Sequence, residues 1–304
     1  MNRRAALLSL STLALACRRR AEASPELATS TERDASMADA GELPFEVLDL
    51  AFPDELGGEK RCVVLVPRKR AKDEKLPLLV ALHGMGETVS PRAGAYGWLE
   101  SYRIDRTLDR LAHPPLEGGD FGGMITRERL DGINAWLGQH PFRGMVIACP
   151  YVPRGMGDDV PFETYGKWLG DRLLPRLRAE TPIFGSAKST SIDGVSMGGL
   201  TALKIGLDRP DLFGVIGALQ PAIHESDPEG LADELQKKLA GRPLRLVTSR
   251  DDFFRPAIKM LHAALDDRKV THELFVAEGN HSYEWNKGPG GYEMLLFHDR
   301  AVAR

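Results

Sequence analysis

One short stretch constrains this chain more than any other. Ser191-Ile192-Asp193-Gly194-Val195 reads as a buried strand, Ser196 follows, and Met197-Gly198-Gly199 opens a helical pattern that runs on through Leu200 to Leu207. A backbone that passes from a buried strand into a helix across a single residue must bend sharply. Small residues two places before and two places after the bend let it do so without side-chain collisions. The bend lifts the Ser196 hydroxyl out of the sheet, over a helix N-terminus whose free N–H groups favour developing negative charge. The bare Gly-x-Ser-x-Gly pattern is weak evidence in a chain with 31 glycines. Its weight comes from the strand before it and the helix after it.

The surrounding sequence repeats the alternation of strand and helix. Short apolar runs lie at Arg61–Pro67, Leu76–Leu82, Gly144–Cys149, Ser191–Val195, Val215–Leu219, Leu244–Thr248 and His272–Val276. Helical patterns stand between them at Tyr165–Glu180, Leu200–Leu207, Pro228–Leu239 and Pro256–Leu265. This order predicts an α/β protein with a mostly parallel central sheet and helices on both faces. With 304 residues, 42% of them hydrophobic, the chain can bury a large core, and no internal repeat or second linker divides it. One folded domain over 44–304 is the economical reading. The net charge of −3 gives no sign of a nucleic-acid partner.

The N-terminus reads as an address. Met1-Asn2-Arg3-Arg4 is basic, Ala5 to Ala16 is apolar but too short to span a bilayer, and small residues lead into Cys17. Residues 1–17 are therefore expected to be a signal peptide. Ala14-Leu15-Ala16-Cys17 is similar to a bacterial lipobox, which would leave Cys17 lipidated as the protein's one membrane attachment; an ordinary secretory signal is the alternative. Residues 18–43 are rich in Ala, Ser, Thr and acidic side chains, so they are expected to form a disordered tether. The protein is then exported, to the periplasm or cell surface.

Two further motifs give Ser196 chemical company. His83-Gly84-Met85-Gly86 follows a buried strand, where a loop can offer a backbone N–H to an oxyanion; the expected donors are the amides of Met85 and Met197. His83 itself reads as a residue that packs this loop rather than a catalytic group. A general base is expected late in the chain, at a strand end. His113 and His140 precede the serine, His224 comes too early, His262 lies in a helix, His272 opens a strand and His298 lies in the C-terminal helix. That leaves His281, in Glu278-Gly279-Asn280-His281-Ser282-Tyr283. For the acid, Asp251 and Asp252 both stand where the Leu244–Thr248 strand ends. Asp252 is preferred, and either could instead cap the helix near Pro256.

Taken together, Gly194-Val195-Ser196-Met197-Gly198-Gly199, Ser249-Arg250-Asp251-Asp252-Phe253-Phe254 and Gly279-Asn280-His281-Ser282-Tyr283 resemble the esterase family of the α/β-hydrolase fold that includes esterase D, feruloyl esterases and mycolyltransferases. In esterase D the acid is the second of two adjacent aspartates, which favours Asp252. The resemblance implies ester hydrolysis through an acyl-enzyme, with no metal and no organic cofactor, on a small-molecule or carbohydrate-linked ester. Acyl transfer by the same triad, peptidase action and a non-catalytic surface lipoprotein are the rival functions. In this fold the long segment 87–143 would lie between the third and fourth strands, either as a small helical cap with Tyr96 and Trp98 facing substrate or as ordinary surface helices. Tyr151, Phe162, Tyr283 and Trp285 could join those two in an aromatic pocket, or belong to the core. The fold would also bring the strands of Cys62 and Cys149 side by side, so that a disulfide competes with two buried free thiols as the reading of this pair.

Overall fold

The computed structural model describes residues 44–53 and 58–303. The expected signal peptide (1–17), its Cys17 and the tether (18–43) lie outside the described residues. Among those described, no helix is long and apolar enough to cross a membrane.

Eight strands form one sheet: β1 (Phe45–Phe52), β2 (Lys60–Pro67), β3 (Leu78–Leu82), β4 (Val146–Pro150), β5 (Thr190–Gly194), β6 (Val215–Leu219), β7 (Leu244–Asp251) and β8 (Glu273–Asn280). Their order across the sheet is β1-β2-β4-β3-β5-β6-β7-β8. Only β2 runs against its neighbours; every pairing from β4 to β8 is parallel. This is the α/β-hydrolase arrangement, with helices on both faces as the sequence leads one to expect.

Alternation along the strands explains why both faces are covered. Val64, Val80, Ile192, Ile216 and Leu246 point into one apolar layer, where they meet Trp168, Leu203, Leu235 and Leu261 from helices. On the other face Val215 packs with Phe297 and Val302 at the C-terminus. Because both faces are buried, the parallel strands read as continuous apolar runs.

The same alternation separates the cysteines. β2 and β4 do lie side by side, but Cys62 is opposite Pro150 while Val63 is opposite Cys149. The two side chains therefore point to opposite faces. Both thiols are free and buried, and burial pushes both to high pKa, so neither is a ready nucleophile.

The segment between β3 and β4 holds α1 (Pro91–Tyr96), α2 (Ile104–Ala112) and α3 (Arg127–Gln139). Its first half covers the sheet. Trp98 is fully buried against Tyr102, with ring centroids 4.9 Å apart, and Tyr96 donates its hydroxyl to Asp49 on β1 at 2.8 Å. Neither faces a substrate, which corrects the cap reading for these two side chains. Apolar size made them pocket candidates, but the same property makes them sheet cover. The second half reaches the far edge of the sheet. Phe121 packs on Tyr292, and Arg129 of α3 pairs with buried Glu293 at 2.7 Å, a carboxylate shared with Arg245 of β7.

Candidate active site

The serine turn forms as its glycines require. β5 ends at Gly194, a helix runs over Met197–Asp208, and Ser196 between them adopts φ 58° and ψ −118°. A non-glycine residue holds such a conformation only where its surroundings over-determine it. Here they do: Ser196 N–H donates to Leu219 at 2.9 Å, and its carbonyl accepts from Ala222 at 3.0 Å. A Cβ at Gly194 would stand 2.5 Å from the Gly198 carbonyl oxygen, and one at Gly198 would stand 2.5 Å from the His83 carbonyl oxygen. The obstacles are backbone atoms, which cannot rotate away. Gly198→Ala is therefore expected to push the His83 loop outward. Stability should fall by about 1–3 kcal/mol, which thermal unfolding of the variant measures.

The His83 loop is held from three sides. His83 is fully buried; its Nε2 accepts from Val152 N–H at 2.8 Å, so Nδ1 carries the proton and donates to the Gly84 carbonyl at 2.7 Å. Burial pulls its pKa down to about 4, which keeps the ring neutral. His83 thus shapes the loop, as the sequence suggested. Gly84 N–H donates to the Tyr102 hydroxyl at 3.0 Å, and that hydroxyl donates to Glu87, whose pKa burial raises. Tyr283, two residues past His281, also hydrogen-bonds Glu87, and its hydroxyl lies against Gly86. The loop's donor end is left open: Met85 and Met197 stand first in a 3-10 turn and in a helix, positions whose N–H groups have no partner within their own element. Met85 is exposed and Met197 buried, and their side chains take no part.

On the adjacent strands, Asp252 and His281 meet. Asp252 follows β7 and His281 follows β8, neighbours in the sheet. His281 Nδ1 lies 3.0 Å from Asp252 Oδ1. The carboxylate is buried and also accepts from the Thr248 hydroxyl at 2.7 Å and from Phe254 N–H at 3.0 Å. Asp251 is exposed and sits in the β7 ladder opposite Asn280. Gln220, at the end of β6, donates to Ser249 Oγ at 2.7 Å and to the Asn280 carbonyl at 3.2 Å, bracing the loops that carry Asp252 and His281. No hydrogen bond joins Ser196 Oγ to His281 among the described residues. Such contacts are often loose without substrate and tighten on binding.

Residues 157–287, which span the serine turn, Asp252 and His281, match the family model described as "Putative esterase". Over that span the chain resembles the esterase family, and its sheet has the α/β-hydrolase order. No curated protein matches its sequence. Among solved structures, a ferulic acid esterase is similar at 19% identity and TM-score 0.64, over 85% of this chain and 99% of that one. An S-formylglutathione hydrolase from Staphylococcus aureus is similar at 13% identity and TM-score 0.56, over 84% and 99%. A ferulic acid esterase from Anaeromyces mucronatus follows at 19% identity and TM-score 0.55, over 84% and 91%. At these identities the structures speak to architecture. The family match on that architecture makes this chain a carboxylic ester hydrolase of the serine type.

The rim of the esterase's site is apolar. Phe253 is 65% exposed with its ring centroid 4.4 Å from that of His281, and Met85 and Tyr283 are exposed nearby in the chain of contacts just described. Trp285 is fully buried and Tyr151 stacks on His83, so of the aromatic candidates only Tyr283 is an exposed one. Phe253 was absent from the sequence-derived candidates because an aromatic after a strand reads equally well as core. Glu87, Tyr102 and Gln220 were missed because their partners lie far away in the chain.

Proposed function

We propose that the esterase works through a covalent acyl-enzyme with Ser196 as nucleophile, His281 as general base and Asp252 as the acid that orients it. Ser196 Oγ attacks the ester carbonyl as His281 Nε2 takes its proton. The Met85 and Met197 amides hold the oxyanion, and the proton passes to the leaving alcohol. Water, deprotonated by His281, then attacks the acyl group and releases the acid. The hydrogen bond between His281 Nδ1 and a buried carboxylate carries this reading, because it leaves Nε2 free to accept a proton. Labelling by a fluorophosphonate probe tests it: the native protein should label at Ser196, and labelling elsewhere or none would overturn it.

The substrate belongs with the small-molecule or carbohydrate-linked esters, and the exposed Phe253 beside His281 supports an ester with an apolar or aryl group. The names of the structural neighbours point the same way, to ferulic acid esters. A screen across acyl chain lengths, aryl esters and acetylated sugars orders these classes. The same proposal has the enzyme exported, with the basic and apolar run before Cys17 as its support. Expressed in a bacterium, the mature protein should begin at Cys17 carrying a lipid mass; a mature form that retains Met1 would exclude export by this signal.

A further inference from the structure

A second group of ligating side chains lies at the other end of the sheet from Ser196. α4 (Phe162–Trp168), α5 (Leu174–Glu180), α6 (Met197–Asp208) and α7 (Pro228–Lys238) are followed by α8 (Arg255–Asp267), which carries His262 and Asp266. Spaced four apart, these two share one face of the helix. His272 stands just before β8 begins. The ligand atoms offered by the three side chains all lie within 4.8 Å of one another.

Hydrogen bonds fix the state of both rings. His272 Nδ1 lies 2.8 Å from the Val270 carbonyl, so it carries the proton and Nε2 presents a lone pair. His262 Nδ1 lies 2.7 Å from that Nε2 and must donate to it. His262 Nε2 is then left with a lone pair facing Asp266 Oδ2 at 3.4 Å. In the neutral ring two electron pairs then oppose each other, and either a proton on Nε2 or a metal ion supplies the missing positive charge. A cation at this point removes the conflict, and the partial exposure of His262 and Asp266 gives an ion access from solvent.

We propose that His262, Asp266 and His272 bind a divalent transition-metal ion of the zinc class. Two imidazoles and one carboxylate suit zinc and its neighbours, whereas calcium and magnesium demand oxygen ligands. Both histidines ligate through Nε2 in the tautomers they already hold; the hydrogen bond from His262 Nδ1–H to His272 Nε2 gives way to the metal, and no proton has to leave. The Val270 carbonyl holds the His272 Nδ1–H, the outer hydrogen bond that ligating histidines ordinarily have. Ligand atoms around a tetrahedral zinc are spaced about 3.3 Å apart, so turning the His262 ring about its Cβ–Cγ bond, which withdraws Nδ1–H from His272 Nε2, closes the set, with water completing it. The ion would fasten α8, which starts just after Asp252, to the start of β8, whose far end presents His281. It touches no substrate, so its effect is on stability.

The test uses the full protein after removal of metal by a chelator. Zinc is titrated in competition with a chromogenic chelator, and melting temperature is recorded with and without zinc. One zinc should bind, and at about a hundredfold excess over Kd the melting temperature should rise by roughly 5 °C or more. His272→Gln and Asp266→Asn should each weaken binding at least tenfold and remove most of that rise while hydrolysing esters as the wild type does, which shows that they fold. His281→Ala should bind zinc unchanged, which separates this site from the catalytic histidine. Undiminished zinc binding in His272→Gln, no binding by the wild type, or an equal rise with calcium would each overturn the proposal.

Discussion

Ser196→Ala is expected to lower kcat toward short p-nitrophenyl esters by about 10⁴- to 10⁶-fold, with the melting temperature unchanged. The loss is large because the proposed acyl-enzyme forms on the Ser196 hydroxyl, which alanine lacks. What remains is the acceleration that the oxyanion donors and substrate binding supply alone, on the order of 10³-fold over water. The fold should not notice the change. Alanine keeps the Cβ that the strained φ of 58° already accommodates, and the serine side chain caps no helix N–H. A surface-level effect within about 0.5 kcal/mol is therefore expected. Turnover, probe labelling and thermal unfolding measured on one preparation decide the matter. Activity within tenfold of wild type would remove Ser196 from the mechanism.

The parts of this enzyme that a sequence can express are those with local signatures. The serine turn was legible because strand, bend and helix are contiguous, and β6 was read at its true bounds because Val215–Leu219 is uniformly apolar and buried. β7 and β8 extend beyond their apolar runs for the opposite reason. Past Thr248 the backbone stays paired through Asp251 and Asn280, across a bulge, while the side chains turn polar and, at Arg250 and Asp251, exposed. β1 was missed although its ends, Phe45 and Phe52, are buried: its middle mixes buried, partly buried and exposed positions, and a weak alternation at a sheet edge has little contrast. The site's supports were harder still. Asp193, just before the serine turn, pairs with buried His298 at 2.8 Å across 105 residues, and Gly84 reaches Tyr102 across 18. Such contacts depend on which elements the sheet order brings together. No periodicity announces them. Trp98 shows the converse error: a large aromatic in a long connection is as good a sheet cover as a substrate contact, and only packing distinguishes the two.

The adjacent aspartates give the second large effect. Asp252→Asn is expected to lower kcat by about 10³- to 10⁴-fold, and Asp251→Asn to change it no more than about threefold, as for an exposed site away from the chemistry. Asp252 accepts three hydrogen bonds, from the Thr248 hydroxyl, Phe254 N–H and His281 Nδ1. A carboxylate can accept all three, whereas an amide brings an NH₂ group toward donors. Phe254 N–H and His281 Nδ1 both meet Oδ1, while the rotatable Thr248 hydroxyl meets Oδ2, so the amide keeps its oxygen at the Oδ1 position and turns its NH₂ toward Thr248. The His281 ring stays oriented through Oδ1, but the neutral amide supplies no negative charge to stabilise the imidazolium that forms when the ring takes a proton. His281 becomes a weaker base toward Ser196, so kcat falls while KM, set by contacts at the rim, stays near its original value. In Asp251→Asn nothing of this kind occurs, because the exposed Asp251 meets β8 through its backbone. Kinetics of the two variants side by side read out the difference. A large loss in Asp251→Asn with Asp252→Asn nearly intact would transfer the acid's role to Asp251, against both the burial of Asp252 and its contact with His281.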